Sequence, residues 1–290
     1  MKRVLITGDE GFVGRAFRAH LDDCDVVGVD IKSGNDARKF FADNDTRFDL
    51  VIHLAAIVGG RLTIEGNPLS VATDLAIDSD MFQWALRTRP DHVVYYSSSA
   101  AYPIELQRPG SAHRLTEADI DLDDVRSPDL TYGWAKLTGE MCAKYAEAEG
   151  LRVHVFRPFS GYGTTQDLDY PFPSFVKRAA ERANPFEVWG DGTQVRDFIH
   201  ISDVVGATLE AVKQDIAGPI NLGTGRATSF NELAQIVMTA AGYEAPIEHR
   251  PAAPVGVWFR VADAAKMETF YKPRISLEEG VLRALHSQGL

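Results

Sequence analysis

The sequence predicts a doubly wound α/β fold: a parallel sheet covered by helices on both faces, with a smaller interleaved lobe toward the C-terminus. Three observations lead there. Five short β-branched runs, RVLITG (3–8), DVVGVD (25–30), DLVIHLAA (49–56), HVVYYSS (92–98) and RVHVFRP (152–158), are too evenly apolar for strands with one wet face. Amphipathic segments such as VGRAFRAHLDD and SDMFQWALRTR fall between them, the second stopping near Pro90. This alternation calls for right-handed crossovers. A glycine-rich turn follows the first run.

Composition narrows the class of function. The chain has 290 residues, 45% of them hydrophobic, and a formal net charge of −11. No run approaches the ~18 apolar residues of a membrane span, and MKRVLITG is too short for a secretory core. Cys24 and Cys142 lie far apart without metal-ligand spacing, so a cytoplasmic protein with two reduced thiols and no metal is expected. The acidic balance, with no basic stripe, argues against nucleic acid. A phosphate-bearing ligand must then be held by local arginines and backbone amides against an unfavourable overall field.

From about residue 159 the rhythm changes. YPFPSFVKRAAERANPF mixes proline turns with a helix, GPINLGTG supplies another strand, and SFNELAQIVMTAAG carries a capping-box pattern. The expected division is a dinucleotide-binding domain over 1–158, with returning segments from about 190–225. The remainder of 159–290 mainly forms a substrate lobe.

The turn ITGDEGFVG places Gly8, Gly11 and Gly14 between the first strand and first helix, where pyrophosphate can approach backbone amides. Its G-x-x-G-x-x-G spacing is one residue longer than the usual dinucleotide fingerprint. Gly8, Gly11, Phe12, Val13 and Gly14 are therefore the expected cradle. Asp30 ends the second strand, placed for the ribose hydroxyls, and its carboxylate disfavours a 2′-phosphate, so NAD is expected over NADP. Lys32 moderates that preference. Asp36 is a candidate for the adenine or else an ordinary turn aspartate. Leu54, Ala55 and Ala56 end the third strand with mostly small residues, suited to close passage of a ligand, and His53 reads as a satisfied core histidine.

LTYGWAK (130–136) sets Tyr132 and Lys136 four apart, one helical turn. Alone, such a pair also fits a solvated helix face. Together, TGDEGFVG, DLVIHLAA, YYSSSAAYP, YGWAK, WGDGTQVRDFIHISDV and INLGTG resemble the extended short-chain dehydrogenase/reductases that act on nucleotide sugars, in order and spacing across nearly the whole chain. Locally the flavour is that of the GDP-mannose 3,5-epimerases. The UDP-galactose 4-epimerases are the better chemical comparison.

The resemblance implies a Rossmann-type NAD site and a nucleotide-diphosphate sugar as substrate. It makes Tyr132 the proton-transfer residue and Lys136 its partner, the ammonium and the positive nicotinamide ring together drawing the phenol down from its usual pKa of about 10. Ser98 would bind the reacting sugar oxygen, with Ser99 the fallback. Gly60, Ser99, Trp189, Arg196 and Arg260 would contact the substrate, the two arginines gripping the diphosphate. Their alternatives are a core tryptophan and surface arginines. Related dehydratases carry Asp-Glu where this chain has Ser99 and Ala100, and 3,5-epimerases a cysteine at the Ala100 position. Neither serine nor alanine suits those proton transfers, which leaves 4-epimerisation through a transient 4-keto sugar. An acid and base drawn from Glu105, His113 or Asp169 would restore the dehydratase or 3,5-epimerase alternative, and a non-catalytic nucleotide-binding protein is a third. Ser160 and Asp74 stand where the family usually has asparagine. A homodimer through the helix carrying Tyr132 is also expected.

Overall fold

The computed structural model describes residues 2–57, 59 and 66–289. Six strands form one parallel sheet in the order β10-β5-β4-β3-β1-β2. These are β1 (Arg3–Thr7), β2 (Asp25–Val29), β3 (Leu50–His53), β4 (His92–Tyr96), β5 (Val153–Pro158) and β10 (Ile220–Leu222). All five apolar runs are strands, and INL of GPINLGTG is the sixth. The strand order reverses at β1, so the turn after β1 opens onto the crevice where such sheets take their ligands.

Helices α1 (Phe12–Arg18) and α6 (Ile201–Lys213) cover one face. The other face is covered by α2 (Ala37–Asp43), α3 (Val71–Thr88) and α4 (Leu130–Ala148). Phe17, Ile52, Val94, Phe156 and Val205 fill the first layer, and Phe41, Val51, Trp84, Val93 and Val155 the second. β3 is shorter than the run DLVIHLAA because Leu54 and Ala55 turn to meet β1. Leu54 N donates to Thr7 O at 3.0 Å, and Ala55 N to Thr7 Oγ1 at 3.2 Å. α3 starts well before the SDMFQWALRTR pattern and stops before Arg89, which adopts φ 52° ahead of Pro90.

A second apolar cluster joins α5 (Pro171–Ala180), α7 (Phe230–Ala240) and α9 (Leu277–Ser287) through Phe175, Phe230, Val237 and Val281. The serine before α7 caps it, accepting from Glu232 N at 3.0 Å, while the Glu232 carboxylate turns to Arg226 at 3.0 Å. Half of the anticipated capping box is therefore used. The remaining pieces are short: β6 (Ser160–Tyr162), β7 (Phe186–Trp189), β8 (Val195–Arg196), β9 (Phe198–His200), β11 (Thr228–Ser229), β12 (Ile247–Arg250), β13 (Phe259–Arg260) and α8 (Ala265–Glu268). Among the described residues no helix is long and apolar enough to cross a membrane.

Candidate active site

The glycine turn is shaped by contacts that no side chain would tolerate. Gly8 has φ +73° and donates to Val29 O at 2.8 Å; a Cβ there would lie 2.8 Å from the Leu54 carbonyl carbon. A Cβ on Gly14 would fall 2.3 Å from Gly8 O, so α1 can press onto the turn only with glycine at this position. Gly11 caps α1 from an extended conformation, and Phe12 and Val13 pack against the core while their amides open the helix. Asp30 closes the arrangement from β2, accepting from Glu10 N at 3.0 Å and Lys32 N at 2.9 Å. A carboxylate has roughly four lone-pair sites, so these two bonds leave capacity for ribose hydroxyls. The turn, its Cβ-excluding surfaces and Asp30 fit a dinucleotide. Asp36 is exposed and spends its carboxylate capping α2, accepting from Arg38 N at 2.9 Å.

The tyrosine helix is docked onto the end of β4. Ser98 follows that strand and its Oγ accepts from Ala100 N at 3.1 Å, opening a single turn over Ser99–Ala101. A Cβ on Gly133 would meet Ala100 O at 2.4 Å, so the glycine beside Tyr132 lets α4 approach that turn. The result sets Tyr132 beside Ser98, and both line one cavity. Lys136 lies one turn on, only 5% exposed, its Nζ 5.8 Å from the Tyr132 ring centre and 5.4 Å from that of Tyr95. Leu130, at the start of the helix, adopts φ +56°, a costly conformation for a leucine, beside the cavity.

Two buried carboxylates on α3 complete the surroundings of Lys136, and the sequence reading did not assign either to it. Asp78 accepts from Tyr95 OH at 2.6 Å and from His53 Nε2 at 3.0 Å. That carboxylate acceptor fixes the proton on Nε2, so His53 Nδ1 accepts from Thr7 Oγ1 at 2.8 Å. His53 is thus the satisfied core histidine anticipated. Burial works to raise Asp78, but Lys136, His53 and Tyr95 more than offset it and hold the carboxyl below its ordinary range. Asp74 has less support. Burial pushes it up to about 6 against the pull of Lys136 and the Ile57 amide, which donates to Oδ1 at 2.6 Å. Among the described residues its Oδ2 has no partner.

For Lys136, burial lowers the pKa, but Asp78, Tyr132 and Asp74 prevail and the ammonium is held above its ordinary value. Burial raises the Tyr132 phenol, Lys136 and Ser98 pull it down, and Asp74 and Asp78 add to the rise, leaving it above its ordinary value. The chain's own cation therefore does not by itself bring the tyrosine into the neutral range, because the same ammonium is shared with two carboxylates.

Ser98, Ser99 and Tyr132 line a cavity of about 450 Å³ that also takes in Asp169, Tyr170, Trp189, Arg196 and Arg260. This volume suits a ligand of nucleotide-sugar size. Arg196 and Arg260 are register partners in the parallel pair β8–β13, which sets them side by side on the cavity wall. Arg260 donates to Asp129 Oδ2 at 2.8 Å and to Gln107 Oε1 at 2.5 Å. Arg196 donates to Val195 O at 2.8 Å and stacks over Phe230. Trp189 is 37% exposed on the rim, so it is not a core tryptophan. Glu105 and His113 face Arg126 and Asp119 instead of the cavity. Gly60 lies outside the described residues.

A doubly wound sheet with a glycine turn, an acidic β2 end and a serine–tyrosine–lysine group beside a ligand-sized cavity defines a dinucleotide-dependent enzyme scaffold. Residues 4–223 match the NAD dependent epimerase/dehydratase family, and the chain belongs to that family. It is 31% identical to GDP-mannose 3,5-epimerase 1 of Oryza sativa subsp. indica, over 80% of this chain and 62% of that protein's length. The chain thus spans less than two thirds of that relative. It is 25% identical to GDP-L-fucose synthase of Escherichia coli (strain K12), over 97% of this chain and 94% of that protein. Among solved structures, MoeE5 in complex with UDP-glucose and NAD superposes with a TM-score of 0.83 at 29% identity, covering 99% of this chain and 98% of that one.

Proposed function

We propose that the protein is an NAD-dependent nucleotide-sugar 4-epimerase in which Tyr132, aided by Ser98 and Lys136, moves the proton of the sugar's 4-hydroxyl. The observation that carries this reading is that Ser98 and Tyr132 line one cavity that also presents two register-paired arginines. Ser98 would hold the reacting oxygen while Tyr132 takes its proton and later returns it. Lys136 stabilises the phenolate and is itself kept charged by Asp78 and Asp74. Gly8, Gly11, Phe12, Val13, Gly14, Asp30, Leu54, Ala55 and Ala56 would hold the dinucleotide. Asp36 would reach the adenine only from the rim of the helix that it caps. Bound there, NAD would supply reversible hydride transfer at the sugar carbon.

Arg196 and Arg260 would exchange their present partners for diphosphate oxygens, and Trp189 would stack at the nucleoside end. MoeE5, with its UDP-glucose and NAD complex, supports the assignment of cofactor and substrate class. Ala100 supports 4-epimerisation over reactions that need a further proton carrier at that place. Asp169 on the cavity wall and the rice relative favour the second reading, 3,5-epimerisation after the same first oxidation. Incubation with UDP- and GDP-hexoses in deuterated water separates the two. A 4-epimer without carbon-bound deuterium supports the proposal, and deuterium at carbon 3 or 5, or a keto-deoxy product, contradicts it. NAD binding without turnover, unaffected by Tyr132→Phe, contradicts an enzymatic role altogether.

A second copy of the chain is the proposed partner, packed on the α4 face where Trp134 and Tyr145 are 47% and 65% exposed. A monomeric mass in solution would contradict it.

A further inference from the structure

Far from the cavity, at the N-terminal ends of the central strands, three potential ligands converge. His92 opens β4, His154 is the second residue of β5, and Asp215 follows the end of α6. The register partner of His154 is Val94, so His92, two residues earlier, projects from the same sheet face. His92 Nδ1 and His154 Nε2 are 3.0 Å apart, and Asp215 Oδ1 is 3.8 Å from His154 Nε2. All three ligand atoms lie within 4.8 Å of one another, an arrangement that among the described residues suits a metal ion. With metal–ligand bonds of about 2.0–2.1 Å, ligands of a tetrahedral centre are about 3.3 Å apart. The two spacings bracket that value.

The surroundings already orient the donors. His154 Nδ1 faces the carbonyl oxygen of Ile216 at 3.4 Å, which places the proton on Nδ1 and leaves the Nε2 lone pair toward His92 and Asp215. The charged groups facing the two histidines are Asp91 and Lys2 on the His92 side, Arg152 beside both, and Asp215 itself. A hydrogen-bonded histidine pair alone would account for the imidazole contact. Asp215 reaches the pair from the left-handed residue that ends α6, at φ 53°, where Ile216 N donates to Ala211 O at 2.9 Å.

We propose that His92 Nδ1, His154 Nε2 and Asp215 Oδ1 form a binding site for a divalent d-block cation, Zn²⁺ by preference, with water completing the shell. Two imidazoles and one carboxylate suit zinc better than calcium or magnesium. The ion would clip the starts of two neighbouring strands to the turn leading into β10. That role is structural and independent of the sugar chemistry.

The test uses tag-free protein freed of metal by chelation, titrated with Co²⁺ and then Zn²⁺. One equivalent of Co²⁺ should bind with the visible absorption of a tetrahedral centre and be displaced by Zn²⁺. Zn²⁺ at a hundredfold excess over Kd should raise the melting temperature by about 5 °C or more. His92→Gln and Asp215→Asn should each weaken binding at least tenfold while leaving NAD affinity unchanged, since they lie at the far end of the sheet. Asparagine accepts the same left-handed backbone, so Asp215→Asn decides the matter if His92→Gln does not fold. Absence of saturable binding, or undiminished affinity in a folded variant of either residue, overturns the site.

Discussion

The buried carboxyl of Asp74 makes a quantitative test of the electrostatics around Lys136. Its pKa is pushed up to about 6 by burial, against an ordinary value near 4. The folded protein therefore holds this proton more tightly than the unfolded chain does. The resulting stability is fully present below about pH 4 and is lost as pH rises through about 6. A shift of roughly two pKa units corresponds to about 3 kcal/mol in total, of which about 2 kcal/mol falls between pH 4.5 and 7.5. Asp74→Asn keeps an acceptor for the Ile57 amide but cannot ionise. Any cost of its new buried donor is independent of pH, so the diagnostic is the slope. Urea unfolding of both proteins at half-unit pH intervals should show the variant gaining about 2 kcal/mol on the wild type across that range, with the difference level above pH 7. Removing the charge also relieves part of what holds Tyr132 up, so the acidic limb of kcat should move to lower pH. Parallel stability profiles for the two proteins would refute this account of Asp74.

Other residues give sharper single outcomes. Arg157→Met strands Glu140, which is 3% exposed and bonded by Arg157 at 2.6 and 2.9 Å. A loss of about 3–5 kcal/mol in urea unfolding is expected, and a loss under 1 kcal/mol contradicts it. Gly14→Ala forces α1 off the glycine turn, since its Cβ would meet Gly8 O at 2.3 Å. Calorimetry should show NAD binding weakened at least tenfold in a folded protein, and unchanged affinity contradicts the cradle. Lys136→Met removes the main cation opposing the rise of Tyr132. It should lower kcat by about 10²–10⁴ and carry the ionisation on the acidic side of the pH profile upward.

Much of this architecture was readable because it depends on local pattern. β-branched runs without a wet face became the five strands, and glycines spaced after β1 became a turn into which no Cβ fits. Tyr132, Lys136 and Ser98 were singled out by spacing and by resemblance, and the fold brings Ser98 and Tyr132 to one cavity. Partnerships set by long-range packing were not readable. Nothing in the chain order says that Asp74 and Asp78 of α3 share Lys136 of α4. Nor does it tell that Glu140 of α4 meets Arg157 of β5, or that His92, His154 and Asp215 meet at the N-terminal ends of the strands. The carboxylates that add to the burial-driven rise of Tyr132 were hidden for the same reason: they come from another helix.

The central claim is that Tyr132 moves the 4-hydroxyl proton while the hydrogen on carbon 4 leaves and returns within the site. The most direct test supplies UDP- or GDP-hexose carrying deuterium at carbon 4 and follows the label by NMR. The account predicts a 4-epimer that keeps its deuterium at carbon 4, formed by the wild type and not by Tyr132→Phe. Loss of that deuterium to water, or a phenylalanine variant as fast as the wild type, would contradict it.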